Sequence, residues 1–93
     1  MAGSDGHEAD EAGRSGESTE EAIVIRADNT ADGIRREYQW LERTFGARGV
    51  DWQLVVQMLL HDADRYYDML RIRLADGTEK EIYFDITKFF GKY

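Results

Sequence analysis

The chain has 93 residues, no cysteine and a formal net charge of −7. A chain of this length has room for one domain with a small core, which excludes an interior filled by a large cofactor, so we expect no cofactor. The lack of cysteine excludes a disulfide framework or a thiolate metal site and favours a reducing, cytoplasmic location. The sequence has neither the apolar length of a membrane span nor the features of a signal peptide, so no membrane partner is expected.

Most of the negative charge lies at the N-terminus. Residues 1–21 contain seven acidic residues, one arginine and no Leu, Ile, Val or aromatic residue. Such a segment cannot bury enough apolar surface to offset the entropy of ordering, which predicts a disordered acidic tail, either a solvated tail or a peptide for a basic partner. Residues 22–93 have a net charge of −1 and are predicted to form a single α+β domain. Their charge balance favours neither a basic nucleic-acid-binding face nor an acidic mimic of nucleic acid.

One amphipathic helix is predicted before the sheet. The β-branched residues 22–26 precede it and form either a fourth short strand of the sheet or an apolar lead-in to the helix. Residues 28–32 are dense in helix N-cap residues, and Gly46 lies where a C-cap glycine is expected. Between them the apolar residues recur at helical spacing, so their stripe can cover a sheet: Ile34, Tyr38, Leu41 and Phe45.

The cap-rich segment that begins at Asp28 also resembles the opening of a calcium-binding loop, with oxygen side chains at the first, third and fifth positions and glycine at the sixth. The twelfth position is Gln39 instead of a bidentate glutamate, and the eighth is Arg35. These two departures favour a helix N-terminus over a calcium site.

Residues 52–86 are predicted to form a three-stranded antiparallel meander, because three alternating runs of apolar and polar residues are separated by two turn signals. At the second turn, a three-residue loop over 75–77 pairs Arg71 with Glu81 and Arg73 with Glu79. A two-residue Asp-Gly loop would instead place apolar residues opposite acids. We therefore predict the three-residue loop, with a left-handed glycine at position 77.

The same test favours a loop of odd length around 61–65, and together the two turns assign side chains to the two faces of the sheet. The helix-side face is predicted to contain Trp52, Leu54, Val56, Met58, Leu60, Tyr66, Leu70, Ile72, Leu74, Ile82, Phe84 and Ile86. The opposite face is predicted to carry polar residues, including the two Arg–Glu pairs, together with a patch of Val55, Leu59, Tyr67, Met69 and Tyr83.

An apolar patch of this size on the outer face predicts a binding surface, because a monomer seldom leaves such a patch bare. It is covered either by the chain's own termini or by another protein. We expect a small non-catalytic protein–protein interaction module, with a protein partner or self-association as a homodimer. Its binding residues are predicted to be Tyr67, Met69, Tyr83, Val55, Leu59 and Trp40.

Two segments have open assignments. Trp40 lies off the apolar stripe, so it either seals the edge of the helix–sheet interface or faces a partner. Residues 87–93 form a single helical turn or an extended tail, with Phe89 and Phe90 against one face of the sheet.

The sequence also offers two other functions. The turn at 61–64, with His61, Asp62 and Asp64, offers possible divalent-metal ligands or a small enzymatic site, although aspartates are also ordinary turn residues. We predict no metal site and no catalytic residue. A helix followed by three strands resembles the topology of the double-stranded-RNA-binding domain, but that family's second helix opens with a lysine cluster. Only Lys88 and Lys92 follow the last predicted strand here, so no nucleic acid is expected.

Overall fold

One helix lies against a four-stranded mixed sheet, as the computed structural model shows for residues 14–91. The elements in chain order are β1 (Ile23–Val24), α1 (Thr30–Phe45), β2 (Trp52–Asp62), β3 (Arg65–Leu74) and β4 (Glu79–Asp85). Strands β2, β3 and β4 form the predicted antiparallel meander, and β1 adds to β4 in parallel, giving the order β1-β4-β3-β2. The predicted α+β class and the optional fourth strand are confirmed.

The helix begins and ends where the capping residues indicate. The Asn29 side chain accepts a hydrogen bond from the Asp32 amide at 2.9 Å, and Gly46, with φ of 108°, donates its amide to the Glu42 carbonyl at 3.0 Å. The segment that begins at Asp28 does not form a calcium-binding loop, because the helix already starts at Thr30. The buried side of the helix is rotated from the predicted stripe: it contains Gly33, Glu37, Trp40 and Leu41, whereas Ile34 is exposed.

The second turn has the predicted register. The Leu74 amide donates to the Thr78 carbonyl at 2.7 Å, which closes a three-residue loop, and Gly77 is left-handed with φ of 91°. Arg71 lies opposite Glu81 and Arg73 opposite Glu79, and both pairs form ion pairs, at 2.7 and 2.8 Å. The parity of the middle strand is therefore as predicted.

The first turn differs from the prediction. Asp62 pairs with Arg65 across a two-residue loop of Ala63 and Asp64, in which Ala63 has φ of 56°. A loop of even length shifts the register by one residue and exchanges the two faces of the adjoining half of β2. In the paired positions, Val56, Met58 and Leu60 therefore lie on the outer face, and Gln57, Leu59 and His61 lie on the helix side.

A β-bulge limits this exchange to one half of β2. The pairing with β3 shifts between Leu54 and Val56, so that Val55 is an extra residue. The shift returns Leu54 and Trp52 to the helix side, opposite Ile72 and Leu74, as predicted. The prediction is thus right for the first part of β2 and wrong from Val56 onward.

The core lies between α1 and the helix-side face of the sheet, and the C-terminal turn closes it. Phe89 is buried, and its ring lies so close to Gly33 that a Cβ at this position would overlap it. Residues 87–91 form a turn, held by the Phe90 amide on the Ile86 carbonyl at 2.9 Å. The buried core cluster is Ile23, Ile25, Trp40, Leu41, Trp52, Leu70, Ile72, Ile82, Phe84, Ile86 and Phe89.

The described N-terminal residues contact the sheet. The Tyr83 amide donates to the Gly16 carbonyl at 2.6 Å, and Gly16 packs against Ile23 and Ile82. Gly16 therefore lies against β4, within the range of the predicted tail. The rest of the predicted tail, residues 1–13, and the C-terminal Lys92 and Tyr93 lie outside the described residues. Within residues 14–91, no helix has the length and apolarity needed to cross a bilayer.

Candidate functional site

Strand β2 forms one edge of the sheet, and most of that edge is open. At its start the Trp52 carbonyl accepts the Gly49 amide at 2.6 Å, so the preceding loop covers this point. From Gln53 to Asp62, no strand in the described part of the chain pairs with the outer side of β2. An unpaired strand edge presents a row of backbone donors and acceptors that another strand can use.

Three apolar side chains along this edge are exposed to solvent. The exposed fractions are 38% for Val55, 47% for Met58 and 53% for Leu59. The pairing of β2 with β3 places Met58 on the outer face and Leu59 on the helix side, so apolar surface flanks the edge on both faces. We call residues 55–59 together with the open backbone of β2 the β2 edge.

The β2 edge has few of the features that usually prevent strands from adding to a sheet. Such edges are commonly short, charged or interrupted by proline. Here the strand has 11 residues and no proline or lysine, and its one acidic residue, Asp62, is at its end. Only the bulge at Val55 interrupts it. At the other side of the sheet, β1 has two residues, so the two edges differ strongly in length.

The predicted binding patch is only partly available at the surface. Tyr67 and Met69 lie on the outer face, as expected, but both are buried. Tyr83 is half-buried beside them, and its hydroxyl donates to Glu81 Oε1 at 3.3 Å. Leu59 lies on the helix side and so is separated from these three residues. Val55 and Leu59 are exposed, and so is Met58, for which the sequence predicts a place on the helix-side face.

Trp40 belongs to the core. Its ring packs edge-on against Phe84, with centroids 5.6 Å apart, and against Phe45 at 6.2 Å. Of the two alternatives for Trp40, the structure therefore shows the one in which it seals the helix–sheet interface. It is not exposed for contact with a partner.

A buried acidic group that was not predicted from the sequence lies beneath the helix. Glu37 is 1% exposed and Asp68 of β3 is 7% exposed. The side-chain Nε2 of Gln57 donates to both carboxylate oxygens of Asp68, at 3.0 and 3.2 Å. The sequence did contain a signal for Glu37, since it lies four residues after Gly33 and four before Leu41, on the buried side of the helix.

The pKa of Glu37 is raised to about 10. The largest cause is burial, followed by the hydrogen bond with Asp68 and the negative charge of Asp68. As a carboxylate, Glu37 has no donor within hydrogen-bonding distance of either oxygen among the described residues. A proton on Glu37 provides the missing donor and removes the repulsion from Asp68. The group is therefore a neutral acid at neutral pH, hydrogen-bonded to the carboxylate that Gln57 also holds.

The turn at 61–64 does not bring its possible metal ligands together. His61 stacks on Tyr66 with centroids 4.2 Å apart, and Tyr66 stacks on Phe90 at 4.0 Å. Asp62 and Asp64 are exposed. Across residues 14–91 there is no group of three or more His, Cys, Asp or Glu side chains that could hold a metal ion.

Comparisons of the chain with protein-family models, with curated proteins and with solved structures give no match.

Proposed function

We propose that this chain is a small non-catalytic protein–protein interaction module that binds an extended segment of its partner at the β2 edge. In this mode of recognition, main-chain hydrogen bonds provide affinity and side chains on alternate positions provide specificity. The observation that carries the proposal is the open, nearly uncharged edge from Gln53 to Asp62 with exposed Val55, Met58 and Leu59.

The site differs from the outer-face patch that the sequence suggested. Tyr67 and Met69 are already buried, so a partner gains little additional burial from them. Met58 and Leu59 are about half exposed and adjoin free backbone groups. We further infer a cytoplasmic location, for which the support is the cysteine-free sequence, since a reducing compartment offers no role for disulfides.

The proposal is tested by immobilising wild type and three variants and identifying retained proteins by mass spectrometry. Leu59→Lys places a charge in the middle of the edge. Val50→Lys is the matched control, because Val50 is an exposed apolar residue, at 74%, in the loop before β2. Tyr83→Ser tests the outer face, two strands away from the edge.

The expected result is a partner retained by wild type, Val50→Lys and Tyr83→Ser but lost with Leu59→Lys. Circular dichroism and thermal unfolding check that all variants are folded. Loss of binding with Tyr83→Ser alone would move the site to the outer face and contradict the proposal. The proposal would be rejected if no protein, including a second copy of the chain, binds wild type more tightly than it binds Leu59→Lys.

A further inference from the structure

We infer that the segment bound at the β2 edge is β2 of a second copy of this chain, paired antiparallel about a two-fold axis at Leu59. This inference rests on the proposed function, since it names the occupant of the same edge. A two-fold axis of this kind runs perpendicular to the sheet, so the two sheets of four strands become one of eight, with both helices on the same face.

Two features of β2 confine the pairing to its second half. The backbone of Trp52 is already occupied by Gly49, with 2.6 Å between the amide nitrogen and the carbonyl oxygen. The bulge at Val55 then interrupts the regular strand. From Val56 to Asp62 the strand pairs regularly with β3, and no strand within residues 14–91 pairs with its other side. The midpoint of this segment is Leu59.

The distribution of charge along β2 permits antiparallel pairing of two copies of this strand. Antiparallel pairing about Leu59 places Gln57 opposite His61 of the second copy and Val56 opposite Asp62. Asp62 is the only acidic residue of β2 and lies at its end, so no carboxylate faces another across the interface. Like charges directly opposite each other would destabilise such a pair, and this strand has none.

The exposed apolar side chains lie next to the proposed axis. Leu59 meets Leu59 of the second copy on the helix side, and Met58 meets Leu60 on the outer face. Met58 and Leu59, the two apolar residues of this strand with the largest exposed fractions, are therefore ones that the second copy covers. A pairing of seven residues on each side is a small interface, so association is measured over a wide range of protein concentration.

The cysteine-free sequence permits a direct test of this geometry. Cα atoms of directly opposed residues in antiparallel strands are about 4.5–5.5 Å apart, which is within the range of a disulfide. Leu59→Cys should therefore form a covalent dimer under mild oxidation. Gln53→Cys is the control on the same strand: six residues from the axis, its two thiols would be about 40 Å apart.

The expected result is disulfide formation at least tenfold faster for Leu59→Cys than for Gln53→Cys. Sedimentation equilibrium of unmodified wild type should show a reversible dimer. Leu59→Lys should weaken that dimer at least tenfold, whereas Val50→Lys should leave it unchanged. These sedimentation results do not depend on the cysteine variants.

Wild type that stays monomeric at millimolar concentration, or a dimer that Leu59→Lys does not weaken, would overturn the inference. Equal rates of disulfide formation in the two cysteine variants would also overturn it. The proposed function fails separately: if the chain is monomeric but a different protein binds wild type and not Leu59→Lys, the edge is still a docking site and only its occupant is wrong.

Discussion

Glu37 of α1 and Asp68 of β3 bury two carboxyl groups against each other beneath the helix. Gln57, which the two-residue first turn places on the helix side of β2, donates to Asp68 and thereby keeps its charge hydrogen-bonded. Glu37 is held as a neutral acid. The polar cluster thus depends on the same register that leaves Leu59 exposed at the edge.

Glu37→Gln is expected to stabilise the protein at neutral pH. The pKa of Glu37 is about 10 in the folded state against 4.5 as its ordinary value, so the folded state retains a proton that the unfolded chain releases. Its contribution to stability is complete below pH 4.5 and decreases as the pH rises toward 10. At pH 7 the wild type has lost roughly 3 kcal/mol of this free energy of unfolding. The glutamine side chain never ionises, so the variant does not undergo this loss.

The measurement is urea unfolding of wild type and Glu37→Gln from pH 4 to pH 9. The difference in the free energy of unfolding should be small at pH 4 and increase with pH. Glu42→Gln, at an exposed position of the same helix, is the control and should show no such increase. A constant difference between wild type and Glu37→Gln would show that Glu37 does not hold its proton.

Asp85→Asn is expected to destabilise the end of β4. The buried Asp85 accepts hydrogen bonds from Arg65 Nε at 3.0 Å and from the Thr87 amide at 3.0 Å. Burial acts to raise the pKa of Asp85, but the hydrogen bonds from Thr87 and Arg65 outweigh it and leave the pKa below its ordinary value. The substitution should lower the free energy of unfolding at pH 7 by about 1–3 kcal/mol.

The pH dependence of this effect has the opposite sign to that of Glu37. A lowered pKa gives stability that is present above the unfolded value of 3.8 and is lost as the pH falls through the folded value. The difference between wild type and Asp85→Asn should therefore shrink as the pH falls below 3.8. Asp64→Asn, in the exposed first turn, is the control and should change the free energy of unfolding little at pH 7.

Gly33→Ala is expected to destabilise the protein, although alanine usually favours a helix over glycine by about 1 kcal/mol. The added methyl group would overlap the buried ring of Phe89, which should make the net loss about 1–3 kcal/mol. A double-mutant cycle with Phe89→Ala measures the coupling. In the Phe89→Ala background, Gly33→Ala should cost much less or become favourable. An equal loss in both backgrounds would mean that the two residues are not in contact.

Ala63→Gly is expected to stabilise the first turn by up to about 1 kcal/mol, because Ala63 has φ of 56° and glycine adopts this region without a steric penalty. Ala75 in the second turn is the matched control, since its φ is not positive. There the same substitution should be neutral or destabilising. Thermal unfolding of the two variants distinguishes the turns, and stabilisation by both or by neither would contradict the assigned backbone.

The helix and the second hairpin were predictable because short segments specify them. Asn29 and Gly46 cap the helix through neighbouring backbone groups. The Arg71–Glu81 and Arg73–Glu79 pairs distinguish two registers that differ by one residue. In each case the deciding interaction is between side chains and backbone that the sequence already places close together.

The second half of β2 was not predictable from alternation alone. Apolar residues occupy both faces of this strand, so alternation alone permits either Val56 and Met58 or Leu59 on the helix side of the sheet. What decides between them is the two-residue turn with its left-handed Ala63 and the bulge at Val55, neither of which has a glycine to mark it. The environment of the buried Glu37 was missed for a similar reason, because Asp68, whose carboxyl group lies beside it, is distant from it in sequence.

Backbone amide hydrogen exchange across β2, measured at several protein concentrations, tests the docking edge most directly. The account predicts that amides between Val56 and Asp62 that point away from β3 become more protected as concentration rises. In Leu59→Lys they should exchange rapidly at every concentration. Exchange in this segment that is independent of concentration, and equal in wild type and Leu59→Lys, would contradict pairing of the β2 edge with a second copy.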